Sequence, residues 1–376
     1  MNGQFCKVLH KEDENGGLIM KQIIVPKGNN YRITHLLYRK ENFLYHYQHR
    51  YTMPFDTENY MSFLEDFPNQ CKKALELARG LIIKGKISNI IVCGMGGSAI
   101  GGDILRAYLT DSGIPVIVCR DYTLPSYTNE QSLVFAISYS GNTEEVLSAN
   151  KEAVEKKAVI WTITSGGKLS EICRNVIKLP VGFQPRAAVG YLFFPMACLL
   201  FNSRIIDLTN SELNEMLSIL RNVEEYKDKG NQLAMRIKNK VPVIYSSSIF
   251  EPAAYRMKCE FNENSKHPAF HHVFPEMNHN EIVGYRNMDR NRFVAIFIRD
   301  EHDHERIKKR MDILKEIIEE KVDVVEIKTL GRHFLSRMFS AIYYGDFASY
   351  YLAAYNRVEP APVEIIERLK LSLADK

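Results

Sequence analysis

Short apolar runs that end in turn residues, each followed by a helix-period segment, recur along most of this chain and constrain its fold more than any other feature. Residues 89–93, 115–119, 132–138 and 158–164 read as strands, and residues 68–82, 99–109, 143–156 and 168–174 read as the helices between and around them. A second series follows, with strands at 241–245, 292–298 and 322–327 and helices at 251–261, 305–320, 333–355 and 362–373. Strands that alternate with helices pack as a parallel sheet covered on both faces. Two such series in 376 residues predict an α/β protein with two doubly wound parallel-sheet domains. The expected boundaries are an appendage at 1–52, a first domain at 53–208 and a second at 209–376. Residues 187–201 form a long apolar helix at the junction, and residues 211–238 read as one charged amphipathic helix.

The appendage differs in composition, being rich in Tyr, His, Lys and Asn, with a possible hairpin around Gly28-Asn29-Asn30. The remaining bounds are permissive. A net charge of +4 is too small to argue for nucleic acid or a membrane surface. The most apolar stretch, 191–201, contains Pro195 and is too short to span a bilayer. The N-terminus lacks a signal-like apolar segment. Seven widely spaced cysteines, none in a C-x-x-C pair, predict a reducing, cytoplasmic setting, with Cys93 and Cys119 as small buried hydrophobes.

Two strand ends carry the first candidate site. The strand at 89–93 runs into Gly94-Met95-Gly96-Gly97-Ser98, and the strand at 132–138 into Ser138-Tyr139-Ser140-Gly141-Asn142-Thr143. Glycines let backbone approach a ligand, and helix N-termini favour anions. In open α/β sheets ligands lie beyond the carboxyl ends of strands. Together the two loops describe a cradle for one phosphate. Ser98 and Thr143 could instead be plain helix N-caps. Gly94-x-Gly96-x-x-Ala99 with Asp121 could be a dinucleotide fingerprint, although the serine-rich second loop suits a sugar phosphate better. No Gly-Lys-Ser or Gly-Lys-Thr is present, which excludes a P-loop.

A second candidate site combines Glu263, in Asn262-Glu263-Asn264, with His279, in Asn278-His279-Asn280-Glu281. A carboxylate can move a proton between adjacent sugar carbons, and a histidine can shuttle protons at a ring oxygen. Spacing alone leaves open whether Glu263 is a solvated helix-end carboxylate and His279 a surface-loop histidine. Arg186, in Pro185-Arg186-Ala187-Ala188, could stabilise a developing enediolate or form a surface ion pair. Lys370 reads as part of a solvated helix face. His267, His271, His272, His302 and His304 lack metal-ligand spacing, so no catalytic metal is expected.

As an ordered set, with Thr164-Ser165-Gly166-Gly167 and His279-Asn280-Glu281-Ile282 added, these motifs resemble the bifunctional phosphoglucose/phosphomannose isomerase family from about residue 53 onward. The resemblance implies two flavodoxin-like sugar isomerase domains in a homodimer whose active sites are shared between subunits, acting on a small sugar phosphate without a metal or organic cofactor. It implies that Gly96, Gly97, Ser98, Ser138, Ser140 and Thr143 hold the phosphate. Glu263 would move the proton between C1 and C2, Arg186 would stabilise the cis-enediolate, and Lys370 would assist ring opening together with His279 from the partner. Two departures stand out. The appendage has no counterpart in the family, and Glu359-Pro360-Ala361-Pro362-Val363 differs from the family's Asp-Pro-x-Pro-Val turn at Glu359 and Ala361. A non-catalytic sugar-phosphate sensor and an isomerase of another phosphosugar are the competing readings. Against the sensor, the chain shows no helix-turn-helix.

Overall fold

The computed structural model describes the backbone of 18–27, 30–39, 44–48 and 55–374. Strands β1 (Leu18–Lys27) and β2 (Asn30–Arg39) pair antiparallel, with Lys27 opposite Asn30, and β3 (Leu44–Gln48) adds to β2; Gly28 and Asn29 of the expected turn lie outside the described residues.

The body of the protein starts at Phe55, which is buried against Tyr350. The Asp56 carboxylate accepts from the amides of Tyr60 and Met61 and so anchors α1 (Tyr60–Glu65). Helix α2 (Phe67–Leu77) has Pro68 in its first turn, where a missing N–H costs nothing. It ends five residues before the sequence expectation of 82, in turns through Ala78 and the left-handed Gly80.

The first sheet holds β4 (Asn89–Cys93), β5 (Val116–Cys119), β6 (Ser132–Ile137), β7 (Val159–Thr164) and β8 (Val176–Lys178), all parallel, in the order β5-β4-β6-β7-β8. Helices α3 (Gly97–Tyr108), α4 (Glu144–Glu155) and α5 (Gly167–Ile172) connect them. Side chains alternate between faces along each strand. Ile90, Val92, Leu133, Phe135 and Ile137 pack in the main core with α3 and with α6 (Val189–Asn202), while Ile91, Cys93 and Val134 pack with Ala149 and Ala153 of α4. The short β8 and α1 were not legible in the sequence, because three to six residues carry no period.

The segment read as one helix over 211–238 is two, α7 (Asn210–Leu220) and α8 (Val223–Ile237). The break falls at Arg221 and Asn222, and the Asn222 side chain turns back to Glu225. The second sheet, again all parallel, runs β10-β9-β11-β12 and comprises β9 (Val241–Ser247), β10 (Phe270–Phe274), β11 (Phe293–Arg299) and β12 (Asp323–Lys328). Helices α9 (Glu251–Glu263) and α11 (Phe334–Asn356) cover one face in the main core, and α10 (Glu305–Ile318) covers the other. Edge strand β10 was missed: its Phe-His-His-Val-Phe sequence reads as a histidine-rich loop, but it pairs in register with β9. The inner faces of both sheets share one continuous apolar core, which fixes the two domains against each other. Helix α12 (Glu364–Ala374) closes the chain.

Because the continuous apolar core is built from residues at Phe55 and beyond, deletion of residues 1–52 should leave a folded protein with an unchanged thermal midpoint. Scanning calorimetry of the truncated and full-length chains tests this; an insoluble truncation, or a midpoint lowered by more than a few degrees, would make the appendage part of the fold.

Candidate functional site

The order β5-β4-β6 places a topological switch point between β4 and β6, where chain connections leave in opposite directions and open a crevice at the strands' carboxyl ends. Ser98 follows β4 and Ser138 follows β6, so the two sequence-predicted loops face each other there. Thr143 occupies the N-cap position of α4 but makes no capping bond; its hydroxyl instead lies 2.8 Å from that of Ser138. The Ser138 hydroxyl is also 3.4 Å from that of Ser140 and accepts from the Gly141 amide at 3.0 Å. Ser98 lies inside the first turn of α3, and its hydroxyl accepts from the Tyr139 amide at 3.4 Å, joining the two loops. Neither hydroxyl caps its helix, so the N-cap alternative fails. Gly96 and Ser140 are exposed at the mouth, whereas Ser98 and Ser138 are buried behind them.

The Thr164-Ser165-Gly166-Gly167 segment after β7 supports this cradle. Gly141 and Gly167 both have positive φ, +70° and +66°. A Cβ on Gly141 would overlap the Gly166 carbonyl oxygen, and one on Gly167 would overlap the Ser140 carbonyl oxygen. The two loops therefore touch backbone to backbone, tied by Ser165 N–H to the Tyr139 carbonyl at 3.0 Å and by Leu169 N–H to the Gly141 carbonyl at 3.0 Å. Only glycine meets both demands.

Gly97 connects the cradle to the second group of residues. A Cβ there would sit 2.9 Å from the Pro185 carbonyl oxygen and 3.0 Å from Arg186 Cα. Arg186 lies in a short 3₁₀ turn, Pro185–Ala188, that leads into α6, and it is 3% exposed. It is thus a buried cation, not the surface ion pair that the sequence left open. Its Nε donates to Asn264 Oδ1 at 2.6 Å, and its Nη2 donates to the carbonyls of Pro360 and Ala361 at 2.9 and 2.7 Å. Nη1 reaches Glu263 Oε2 at 3.5 Å. The guanidinium also stacks over the Tyr60 ring. Glu263 is the last residue of α9, and its side chain remains 27% exposed, so it is accessible to a ligand while facing the cation. Lys266 lies beside this pair and donates to the carbonyls of Glu359 and Pro360 at 2.7 and 3.0 Å. Burial, reinforced by Arg186, pushes its ammonium down to about 8.

Beneath lies a buried polar layer that sequence reasoning missed. Arg256 pairs with Glu260 at 3.0 Å and with Asp346 at 2.9 Å, and donates to the Arg186 carbonyl at 2.9 Å. Burial raises the Glu260 and Asp346 carboxyls, opposed by Arg256. The i, i+4 spacing of Arg256, Glu260 and Asn264 was the available sequence signal; Tyr60 and Asp346 had none.

His279 is elsewhere. Helix α9 starts just after the carboxyl end of β9 and, at 13 residues, rises about 20 Å back along the sheet. His267, four residues past Glu263, meets the Lys240 carbonyl just before β9 starts. His279 follows β10, whose last residue pairs with Ser247 at the far end of β9. Glu263 and His279 of one chain therefore stand at opposite edges of the second sheet. The His279 loop is itself pinned, with Tyr245 donating to Glu281 at 2.6 Å and accepting from Tyr285 at 2.6 Å. His279 is exposed, as is Lys370 on α12, which makes no hydrogen bond or ion pair among the described residues. Among the described residues no three His, Cys, Asp or Glu side chains converge as metal ligands. His271 approaches Glu251 at 3.8 Å. No described helix is long and apolar enough to cross a membrane.

Two family models match: the SIS (sugar isomerase) domain over residues 82–193, and the bacterial phospho-glucose isomerase C-terminal SIS domain over 226–373. The bifunctional phosphoglucose/phosphomannose isomerase of Caldicellulosiruptor bescii is 42% identical over 330 residues, covering 82% of this chain and 97% of the relative. That of Aquifex aeolicus is 38% identical, covering 76% and 90%. This chain belongs to the bifunctional phosphoglucose/phosphomannose isomerase family. A solved structure from Clostridium difficile superposes with a TM-score of 0.66 over 81% of this chain and 95% of that one, at 16% identity, which shows a shared fold. Membership in the bifunctional isomerase family sets aside the dinucleotide alternative. Asp121, its ribose-binding candidate, is an exposed residue whose carboxylate accepts from the next amide.

Gly141→Ala should break the cradle while leaving Arg186 and Glu263 untouched. Left-handed backbone costs a residue with a Cβ about 1–2 kcal/mol, and the overlap adds to it. Phosphosugar binding should weaken by at least about tenfold, at 1.4 kcal/mol per decade, as read by titration calorimetry; unchanged affinity would remove this loop from the site.

Proposed function

We propose that the chain is an aldose–ketose isomerase that interconverts glucose 6-phosphate and fructose 6-phosphate, and mannose 6-phosphate with the same ketose. The observation that carries this reading is the contact of Gly97 with Arg186, which seats a hydroxyl-lined anion cradle directly against a buried arginine and a half-exposed carboxylate. A sugar phosphate held at one end presents its C1–C2 end to the other. Glu263 takes the C2 proton and returns it to C1. Arg186 stabilises the oxyanion of the cis-enediolate, a charge absent from the ground state. The planar intermediate accepts a proton at C2 on either face, so one site serves both epimers. A sensor needs the cradle alone; the Arg186–Glu263 pair goes beyond what binding requires.

Ring opening is assigned to His279 and Lys370. Since His279 stands across the sheet from Glu263 of its own chain, it acts on the site of a second copy, in a homodimer. The exposed apolar residues of α12, Ile365, Leu369 and Leu373, one helical turn apart, favour burial against such a partner. The six described cysteines are free thiols, which suits a reducing cytoplasm.

Two experiments test this. Glu263→Gln keeps shape and hydrogen bonding but loses proton transfer, so turnover should fall by about 10²–10⁴-fold. Sugar-phosphate binding should persist, and solvent deuterium should no longer enter at C2. Near-normal exchange would assign the base elsewhere. The shared site is tested by unfolding and refolding together two inactive variants, Glu263→Gln and His279→Ala. Half the dimers then carry both variants, and each mixed dimer has one intact site, so about a quarter of wild-type turnover should return. No recovery, with mixed dimers shown to form, would overturn sharing.

A further inference from the structure

Asn264 carries a set of contacts that the isomerase reading does not account for. It is fully buried at the C-cap of α9, immediately after Glu263. Its amide faces two ways. Oδ1 accepts from Arg186 Nε at 2.6 Å, while Nδ2 donates to Glu260 Oε2 at 2.8 Å and to Ser349 Oγ at 2.9 Å, with the Tyr60 hydroxyl at 3.3 Å. Acceptors on the Nδ2 side and a cation on the Oδ1 side leave the amide one satisfactory orientation.

That orientation determines which edge of Arg186 meets the base. The guanidinium has five N–H donors in a planar fork. Asn264 takes Nε, the Pro360 and Ala361 carbonyls take Nη2, and Nη1 is left directed at Glu263. Arg256 holds the Arg186 backbone carbonyl from below and is itself fixed by Asp346 and Glu260. Glu260 is thus the shared partner of Arg256 and Asn264. No other side chain type of this size serves: an aspartate accepts from Arg186 but donates nothing, and would set a second carboxylate against Glu260.

We propose that Asn264 is a positioning residue of the isomerase, transmitting the rigidity of the buried Arg256–Glu260–Asp346 group to the guanidinium of Arg186 and fixing that guanidinium against the Glu263 carboxylate. The proposal rests on the isomerase reading above. It implies that Asn264 acts through Arg186 and on the transition state, since Arg186 meets its charge only as the enediolate forms. A misplacement of about 1 Å costs about 10²-fold in rate.

The experiment is a double-mutant cycle on the full chain with Asn264→Ala, Arg186→Ala and the double variant, read by steady-state kinetics. Affinity for a phosphorylated hydroxamate that mimics the enediolate is measured in parallel. Asn264→Ala should lower kcat by about 10–100-fold, leave KM within a small factor, and weaken the hydroxamate as much as kcat falls. The double variant should be no slower than Arg186→Ala alone. Should Asn264→Ala fail to fold, by circular dichroism, Asn264→Ser, which keeps a hydroxyl in the buried site, enters the same cycle. If the two single effects multiply, or if KM rises at constant kcat, Asn264 acts apart from Arg186 and the proposal is overturned. A wild-type chain without isomerase turnover would instead bring down the functional reading, and this proposal with it.

Discussion

A buried guanidinium must be paired and hydrogen-bonded, because desolvating a lone charge costs several kcal/mol. Arg186 meets that demand with groups from parts of the chain that are far apart in sequence. Asn264 and Glu263 come from the end of α9, the Pro360 and Ala361 carbonyls from the turn after α11, the Tyr60 ring from α1, and Arg256 supports the backbone. The cation therefore ties together the first domain, the second domain and the C-terminal segment. Gly97 rests on its backbone, so the hydroxyl cradle inherits its position from the same residue. Loss of any one of the hydrogen-bonding partners leaves a buried N–H of the cation unpaired, so the setting of Arg186 depends on all of these segments together.

The two domains share a strand order, second-first-third-fourth, yet the hydroxyl cradle is found in one of them. At the switch point of the first sheet stand Ser98, Ser138 and Thr143. At the corresponding edge of the second stand Ser247, Asp300 and Asp303. Asp300 accepts from Thr329 and Arg337 at 2.8 Å each, and it and Asp303 are buried. Carboxylates in that place repel an anion. The second sheet instead contributes the far end of one of its helices, where Glu263 turns back toward the first domain. Fold and site thus separate: the repeated architecture supplies two crevices, and side-chain chemistry decides which one suits the proposed phosphate.

Strand cores were readable because alternation and apolar runs report burial directly; β4 was expected at the residues it occupies. The cradle was readable because serines and glycines at strand ends have few other reasons to cluster. What stayed hidden has a physical cause in each case. Strand β10 carries two histidines because it is an edge strand, half exposed, and its sequence does not announce pairing. The break between α7 and α8 takes only Arg221 and Asn222, too short a segment to stand out in a charged sequence. The setting of Arg186 required knowing that residues 264, 360 and 361 converge, which no local pattern records. Gly141 and Gly167 were visible as loop glycines, but that each excludes a Cβ from the other's backbone is a property of the pair.

The allocation of charge between cradle and base follows from what each has to do. A cation at the phosphate would bind substrate and transition state alike, tightening binding without accelerating the chemical step. The cradle residues Ser98, Ser138, Ser140 and Thr143 are hydroxyls, and in the proposed reaction they hold an anion whose charge does not change. The arginine stands 3.5 Å from Glu263 instead. As the proposed base takes up a proton it loses its negative charge, and negative charge appears on the enediolate oxygen. The guanidinium then exchanges one anionic partner for another across a short distance, with its remaining bonds to Asn264, Pro360 and Ala361 unchanged. Little reorganisation is required of a group so fixed, and that fixity is what makes a buried arginine, costly to fold around, useful at this position.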